Sequence, residues 1–478
     1  MKTRFSLTTA TALVIANMVG TGVFTSLGFQ VGRDASGNPV ITSGLALILL
    51  WILGGAFALF GALAYSEAGV LFPRCGGEYH YLSRMYHPSI GFLSGWISFL
   101  VGFAAPVAAA AIALGSYLRS AFGLPERLGG ALAFVKVPSL FAVAVIVAVT
   151  AVHALDKMLG ARFQNVITIL KVAAIVGMAG LGLLLGKPSG LSFAPGTAAA
   201  HDILSPAFAV SMFFVSFAYS GWNAAAYIAG EMEKPARNLP ISLITGTLFV
   251  VVLYVLLNFA FLATVPLPEL AGQLEVGFIF ATKAFGTGAG RIMAGVISFL
   301  LLSSISAMII AGPRVNRVVG EDYYLFRKLG RMSGKEIPVT AILAQSVLSI
   351  VYILTSTFEQ VIVFIGFTLN LFTFLTVLGV MILRKKRPDL PRPYKTLGYP
   401  IVPALFLMIS VWILGYGLLY RPKESLFGLA ITLLGFAVYA VDRKIRPAFT
   451  RISLISVTNS MPPVSTSMNS RPFQSVRW

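Results

Sequence analysis

Long apolar runs recur along the chain, and they constrain its fold more than any other feature of the sequence. A helix that crosses a bilayer needs about 20 consecutive apolar residues. Runs of this kind lie near residues 7–30, 42–70, 89–120, 138–156, 160–186, 204–230, 240–264, 286–318, 338–356, 360–383, 400–420 and 425–441. Backbone groups inside a bilayer must be paired within the protein, and runs of this length pair them as helices. We therefore predict an all-α polytopic membrane protein with twelve spans.

The composition excludes most other classes of protein. Hydrophobic residues make up 57% of the chain and charged residues only 11%, a composition that soluble domains of this length do not have. The net charge of +19 would suit a nucleic-acid-binding protein, but the charges lie in short clusters between the apolar runs, so we predict no nucleic-acid partner. Because Cys75 is the single cysteine, an internal disulfide and a multi-cysteine metal site are excluded. The four histidines lie far from paired carboxylates, so we predict no metal, no cofactor and no enzymatic activity.

The basic residues predict the orientation of the spans. With the N-terminus inside, the inner segments carry about three times as many lysines and arginines as the outer loops. We therefore predict a multi-pass protein of the cytoplasmic membrane with both termini in the cytoplasm and no cleavable signal peptide. Residues 1–6 form the predicted N-terminal segment, and residues 442–478, Ser/Pro/Asn-rich from about residue 451, form a tail predicted to be disordered.

Two of the predicted spans are interrupted at mid-depth. The first carries Gly20-Thr21-Gly22, and the sixth carries hydroxyls, a glycine, an indole and an amide between Ser216 and Asn223. A glycine weakens a helix by about 1 kcal/mol, so these residues do not serve helix stability. Close helix–helix packing is one explanation. However, two interruptions five spans apart favour an inverted-repeat transporter, whose broken helices expose backbone groups to a small polar ligand.

Several motifs carry a resemblance to a known family. Gly20-Thr-Gly-Val-Phe24 is similar to the first-span signature of the amino acid–polyamine–organocation transporters. Phe217-Ala-Tyr-Ser-Gly-Trp-Asn223, followed by Asn238-Leu-Pro240, resembles the L-type amino acid transporter branch of that superfamily. Pro73-Arg-Cys-Gly-Gly-Glu-Tyr79 and the basic connector from Arg387 to Pro400 also resemble segments of this branch, so the resemblance covers residues 5–442.

The resemblance implies a LeuT-like fold of five plus five spans in inverted repeat. On this expectation residues 7–186 form the first repeat, residues 204–383 the second, and residues 400–441 two appended spans. It also implies transport of amino acids across the bilayer by alternating access.

The same resemblance implies the residues of the substrate site. The substrate carboxylate would meet the backbone N–H groups at the start of the outer half of span 1, where a half-helix offers free donors and a partial positive charge. The freed carbonyls of the two interruptions would receive the ammonium, Phe217 would gate the substrate, and three residues would shape its side-chain pocket. The residues implied for the carboxylate are Thr21, Gly22 and Val23. Those implied for the ammonium are Met18 or Val19, together with Phe217, Ala218 and Ser220. Gly20 and Gly22 would let the backbone approach the substrate closely, and the pocket residues would be Ser220, Trp222 and Asn223.

Lys171 lies within the fifth predicted span. It follows Arg162 by nine residues, which places it about 13 Å into the membrane. A lysine at this depth costs free energy of membrane insertion, so such a residue usually has a function. Alternatively, its long side chain could reach the cytoplasmic edge of the membrane. Gln164-Asn165…Lys171 resembles bacterial relatives in which the ammonium replaces a sodium ion. We therefore predict sodium-independent transport, and both exchange and proton coupling through Lys171 remain open.

The absence of acidic residues from the middle of the spans and of a cysteine from one loop predicts the substrate and the partners. No acidic residue falls at mid-depth of a predicted span, so neutral L-amino acids are favoured over cationic amino acids or polyamines, which are the alternative within the fold. A membrane sensor that binds amino acids without moving them is the alternative of another class. The loop from about residue 120 to residue 137 has no cysteine where animal L-type members join a glycoprotein, so we predict a monomer without a disulfide-linked heavy subunit.

Overall fold

The computed structural model describes residues 5–73, 76–155, 160–333 and 337–445, without the side chains of residue 131 and of residues 160–166. Cys75 lies outside the described residues, as do residues 1–4 of the predicted N-terminal segment and residues 446–478 of the predicted tail. The side chains of Gln164 and Asn165 are likewise not described.

The described part of the chain is helical, and it contains no β-strand beyond two isolated bridges. Its α-helices are α1 (Leu7–Met18), α2 (Gly22–Val31), α3 (Gly44–Leu71), α4 (Glu78–Met85), α5 (Pro88–Ile97), α6 (Ala104–Phe122), α7 (Val137–Leu155), α8 (Gly160–Leu185), α9 (Thr197–Leu204), α10 (Pro206–Ala218), α11 (Pro235–Thr264), α12 (Leu267–Leu270), α13 (Val276–Phe285), α14 (Thr287–Asp322), α15 (Val339–Thr355), α16 (Phe358–Lys386), α17 (Ile401–Tyr420) and α18 (Pro422–Ile445). A π-helical turn at Ser98–Gly102 joins α5 to α6, and a 3₁₀ helix at Ala224–Glu231 follows the end of α10.

The number of helices that could cross a membrane comes close to the predicted twelve. Among the described residues ten segments are long and apolar enough, and eleven if α9 and α10, which meet at a 69° bend, count as one. The predicted ninth span is α15, whose 17 residues extend only about 26 Å. A bilayer core is about 30 Å thick, so this helix is slightly short by length alone. The protein is therefore a polytopic helical membrane protein, as the apolar runs indicated.

Local sequence signals determine where several helices begin. Ser6, Ser43 and Ser205 each accept a backbone N–H at the start of α1, α3 and α10, which satisfies one donor that the helix leaves unpaired. Thr357 and Gln360 form a reciprocal capping box at the start of α16. Because the caps of α1, α3 and α10 are local, the helices around the interruptions have well-defined starting points.

The last two helices lie at the edge of the bundle. In their most apolar stretches 28% of the residues of α17 and 22% of those of α18 are buried, against 67% for α16. Leu419 and Met408 of α17 are largely exposed apolar side chains. A helix that keeps apolar residues on its outer surface is suited to contact with lipid.

The interrupted segments are packed closely against two long helices. A Cβ at Gly246 of α11 would lie 2.8 Å from Val14 of α1, and a Cβ at Gly54 of α3 would lie 2.2 Å from Val215 of α10. Small residues at such contacts allow helix backbones to approach within a membrane protein. As a result α3 and α11 hold the two interruptions side by side.

Candidate functional site

The first interruption separates α1 from α2 by three residues. The last bond of α1 runs from the N–H of Val19 to the carbonyl of Ile15, at 2.9 Å. Thr21 precedes α2 without capping it through its side chain, while its carbonyl accepts the hydroxyl of Thr25 at 3.0 Å. The first N–H groups of a helix have no partner within the helix. The start of α2, where the sequence analysis predicts a carboxylate to meet Thr21, Gly22 and Val23, therefore directs backbone donors into the gap.

The second interruption follows α10. The N–H of Ser220 donates to the carbonyl of Phe217 at 3.0 Å, and Gly221 adopts a φ of +97° that a residue with a side chain rarely tolerates. The chain then turns into the 3₁₀ helix Ala224–Glu231. The carbonyl of Phe217, predicted to receive an ammonium, therefore already holds one protein donor.

The two interruptions touch each other through glycine. A Cβ at Gly22 would lie 2.3 Å from the Cα of Ala218, and a Cβ at Gly221 would lie 2.8 Å from the carbonyl carbon of Asn17. Distances of this kind leave no room for any side chain at either glycine. The structure thus brings together the predicted site residues of α1, α2 and α10 at one crossing point.

Tyr254, which is not among the predicted site residues, joins this crossing. The hydroxyl of Tyr254 of α11 donates to the carbonyl of Met18 at 2.6 Å. The ring of Tyr254 also packs 5.2 Å from that of Tyr219, whose hydroxyl donates to the carbonyl of Trp51 at 3.0 Å. The predicted ammonium-binding carbonyl of Met18 is therefore engaged, with one lone pair left. No local pattern marks Tyr254, because its partner lies 236 residues away.

The aromatic residues of the predicted pocket are buried to the same extent. Phe217 and Trp222 are both 7% exposed. The ring of Trp222 lies against Gly61 of α3, where a Cβ would come within 2.7 Å of it, and its centroid is 4.8 Å from that of Tyr65. Trp222 is therefore wedged between the second interruption and α3.

Asn223 contacts an acid at the start of α4. Its side-chain Nδ2 donates to Glu78 Oε1 at 3.2 Å, and the hydroxyl of Tyr65 donates to the same oxygen at 2.7 Å. Burial raises the pKa of Glu78 to about 7, although both hydrogen bonds act in the opposite direction. No acid is predicted for the pocket, but the structure places Glu78 directly against a predicted pocket residue. The Gly-Gly-Glu-Tyr motif, which contributes to the family resemblance, contains this acid.

Lys171 is in the interior, with 1% of its surface exposed. Its ammonium donates to Ser304 Oγ of α14 at 2.7 Å, and that hydroxyl lies 4.0 Å from where a Cβ of Gly20 would stand. Such burial does not fit the alternative in which the side chain reaches the cytoplasmic edge. Lys171 and Ser304 therefore connect α8 and α14 to the edge of the first interruption.

Two tethers hold the chain on the side where α1 begins. Phe5 pairs with the segment after the second interruption, donating its N–H to Glu231 and accepting the N–H of Glu233, at 2.9 and 3.0 Å. In the connector after α16, Thr396 donates both its N–H and its hydroxyl to Glu67 of α3, at 2.9 and 2.7 Å. Arg384 adds a charged pair to the same carboxylate.

Access to the crossing is uneven. Each residue from Thr21 to Gly28 is buried, whereas Gly20, Ser220 and Gly221 are only partly buried. The open side of the two interruptions therefore faces the α1 half rather than the α2 half.

Comparison with known proteins gives matches over nearly all of the helical chain. The sequence matches the family model of the amino acid permeases over residues 5–436. It is 28% identical over 443 residues to the serine/threonine exchanger SteT of Bacillus subtilis (strain 168), covering 92% of this chain and 96% of that protein. It is 28% identical over 447 residues to the human large neutral amino acids transporter small subunit 2, covering 92% of this chain and 80% of that protein. With the mouse b(0,+)-type amino acid transporter 1 it shares 26% identity over 434 residues, covering 89% of this chain and 85% of that protein.

Proposed function

The chain belongs to the amino acid permease family, and from that premise we propose that it is a secondary transporter that exchanges neutral L-amino acids by alternating access. The observation that carries the proposal is the contact between the two interruptions, through Gly22 on Ala218 and Gly221 on Asn17. Two broken helices that meet in the interior supply unpaired backbone donors and acceptors in one small volume. An amino acid presents a carboxylate and an ammonium, which need such partners when they leave water.

The proposed binding mode uses the polarity of the two half-helices. The substrate carboxylate meets the N–H groups of Thr21, Gly22 and Val23, at the positive end of α2. The ammonium meets the carbonyls of Val19, Ala218 and Ser220, with the engaged carbonyls of Met18 and Phe217 beside them. Phe217 covers the substrate, while Ser220, Trp222 and Asn223 set the space for its side chain.

The proposed fold is an inverted repeat of residues 7–186 and 204–383, followed by two appended spans at 400–441. The positions of the interruptions support it, since α1 has 12 residues before its break and α10 has 13 before its own. The peripheral placement of α17 and α18 agrees with spans added outside the repeats.

Lys171 is proposed to supply a fixed positive charge beside the first interruption. Its hydrogen bond to Ser304 holds the ammonium near Gly20, where a coupling cation would otherwise bridge the helices. This arrangement supports transport without sodium. Exchange is the primary proposal, and proton coupling through Lys171 is the alternative.

The proposed setting is the cytoplasmic membrane, with both termini in the cytoplasm and the protein acting as a monomer without a disulfide-linked subunit. The surplus of basic residues on the inner segments supports this orientation. On this orientation the partly open side of the crossing faces the cytoplasm.

The relatives' names support neutral substrates, since two of them are called a serine/threonine exchanger and a large neutral amino acids transporter subunit. One observation favours a second candidate function, the transport of cationic amino acids. Glu78 is buried against Asn223 and could attract a positive side chain. Its two hydrogen bonds already occupy one carboxylate oxygen, which is why we place this candidate second.

Flux into liposomes tests the proposal. The purified protein is reconstituted into vesicles that are empty or preloaded with unlabelled serine, and uptake of labelled alanine, serine, leucine and arginine is measured. Entry of a neutral amino acid only into preloaded vesicles is the expected result. Equal entry into empty vesicles would contradict obligatory exchange, and an imposed pH gradient would then test proton coupling. Movement of arginine alone would favour the cationic candidate, and binding without any flux would favour a sensor.

A further inference from the structure

A polar cavity lies at the end of the bundle opposite to the N-terminus. It is a cleft of about 360 Å³ between the last turn of α2, the first turns of α10, the start of α16 and the end of α17. Phe29, Val210, Phe214 and Tyr420 form apolar walls. Gln30, which also lines the cleft, follows Gly22 by eight residues and is therefore about 12 Å along α2 from the first interruption. The cleft is thus separate from the crossing of the interruptions.

Gln30 is the residue that makes this cleft unusual. Its side chain is 1% exposed, and neither its amide nitrogen nor its amide oxygen has a partner among the described residues. The neighbouring Ser211 hydroxyl donates to the backbone carbonyl of Gln30, at 3.3 Å, and so does not satisfy the amide. A buried amide that lacks both a donor and an acceptor costs free energy that a bound polar molecule would recover.

The charged groups of the cleft favour a ligand with both signs of charge. Arg33 is exposed at its rim and forms no ion pair within the described part of the chain. Glu359 and Arg421 form a pair in which each side chain is 34% exposed. A carboxylate can bind Arg33, an ammonium can bind Glu359, and the Gln30 amide can both donate and accept.

We propose that this cleft is an outer binding site for a free amino acid zwitterion, distinct from the central site. The inference rests on the proposed function, since the cleft is built on α2 and α10, the halves of the interrupted spans that lead from this face to their crossing. Its volume is within the range of small-ligand pockets, and its apolar walls can receive the side chain of a neutral amino acid. A substrate held there would wait beside the same two half-helices that bind it next.

Binding stoichiometry tests the inference apart from transport. The full-length protein is placed in phosphatidylcholine nanodiscs, and the amount of labelled L-serine bound at saturation is measured by equilibrium dialysis. We expect two serines per chain for the wild type and one for both Gln30→Leu and Arg33→Ala. Arg291→Ala is the matched control, because this exposed arginine lies at the same end of the bundle but not in the cleft, and it should leave two.

The outcomes separate this inference from the proposed function. If the wild type and both variants bind one serine per chain, the proposal of an outer site is wrong. Exchange in liposomes would still support the proposed transport function in that case. Absence of both binding and exchange removes both proposals. If Gln30→Leu does not fold, Arg33→Ala alone decides, since it changes an exposed side chain. Loss of the second serine when phosphatidylethanolamine replaces phosphatidylcholine would show a lipid headgroup in the cleft and also overturn the inference.

Discussion

Two buried ionisable residues allow the most specific mutational tests of this structure. Lys171 and Glu78 are two ionisable groups that the fold takes out of water, one in α8 and the other at the start of α4. Each is held by neighbours from distant parts of the chain, Ser304 in the first case and Tyr65 with Asn223 in the second. A buried charge is tolerated only when such partners are present, so both residues are suited to mutational tests.

Lys171→Met should abolish exchange, because it removes the positive charge beside the first interruption while keeping an unbranched apolar side chain. Ser304→Ala should reduce exchange less, since the ammonium keeps its charge but loses its hydrogen bond. Initial rates of labelled serine uptake into preloaded liposomes measure both effects. Lys283→Met is the control, because Lys283 pairs with Glu269 at an exposed position. Full exchange by Lys171→Met would contradict the proposed role.

Glu78 should make stability depend on pH. Burial raises its pKa from 4.5 to about 7, so between these values the folded state holds a proton that the unfolded chain has released. The free energy of unfolding therefore falls as the pH rises through this window. We expect the wild-type melting temperature to be higher at pH 5 than at pH 8, and Glu78→Gln to show a smaller difference. Among the described residues, the groups that face Glu78 are Tyr65, Tyr227 and Asn223, none of which is charged in this range.

Glu126→Gln provides the comparison for that experiment. Glu126 pairs with Arg119 at the surface and its side chain is 57% exposed, so its loss should leave the pH dependence of the wild type. If Glu78→Gln and Glu126→Gln melt with the same pH dependence as the wild type, Glu78 does not titrate in this window.

Gly22→Ala should destabilise the protein and slow exchange. The new Cβ would overlap the backbone of Ala218, and overpacking of this kind costs about 1–3 kcal/mol. Gly180→Ala is the matched control, since no atom lies within 4 Å of a Cβ at this helical glycine. Thermal unfolding in detergent should show a lower melting temperature for Gly22→Ala only. Equal stability of the two variants would mean that the interruptions are not in close contact.

At the scale of elements, the connector between α16 and α17 is held to α3 by one carboxylate. Glu67 receives Arg384 of α16 and both donors of Thr396, and it is 2% exposed. The connector also packs Tyr399 against the Arg384 guanidinium, 3.8 Å from the ring centroid. α3, α16 and the connector that leads into α17 are therefore joined by polar contacts at the end of the bundle where α1 begins.

Glu67→Ala should lower the melting temperature strongly, because breaking a buried ion pair costs about 3–5 kcal/mol. Arg387→Ala removes a pair with Asp389 in the same connector, but both of those side chains are well exposed and the cost should stay below about 1 kcal/mol. Thermal unfolding of the two variants compares buried and exposed pairs within one segment. A similar melting temperature for both would contradict the assigned importance of Glu67.

At the scale of the whole molecule, the orientation in the membrane can be tested directly. In a Cys75→Ser background, Ser36→Cys lies in the exposed loop after α2 and Lys385→Cys lies in the last turn of α16. Intact cells treated with an impermeant maleimide should label the first cysteine and not the second, because the termini are proposed to be cytoplasmic. Labelling of Lys385→Cys alone would reverse the proposed topology.

The number and type of the helices could be read from the sequence with few errors. A span needs only a long apolar run, so α3, α11 and α16 follow from their own residues. α15 is slightly short for the span predicted there. α10 ends at Ala218, within the interruption predicted between Ser216 and Asn223 of the sixth span. A window of average hydropathy finds the apolar run in both places, but length in the first case and local polarity in the second decide the outcome.

The membrane class, the approximate spans, the two interruptions and the resemblance to the amino acid–polyamine–organocation transporters can all be read from the sequence. They depend on hydropathy, on glycine and on short motifs, which act within about 20 residues. The contact of Gly22 with Ala218, the hydrogen bond of Tyr254 to the Met18 carbonyl and the contact of Asn223 with Glu78 emerge only when the helices are packed. Such contacts join residues far apart in the chain, and their geometry depends on how all the helices pack rather than on any local pattern.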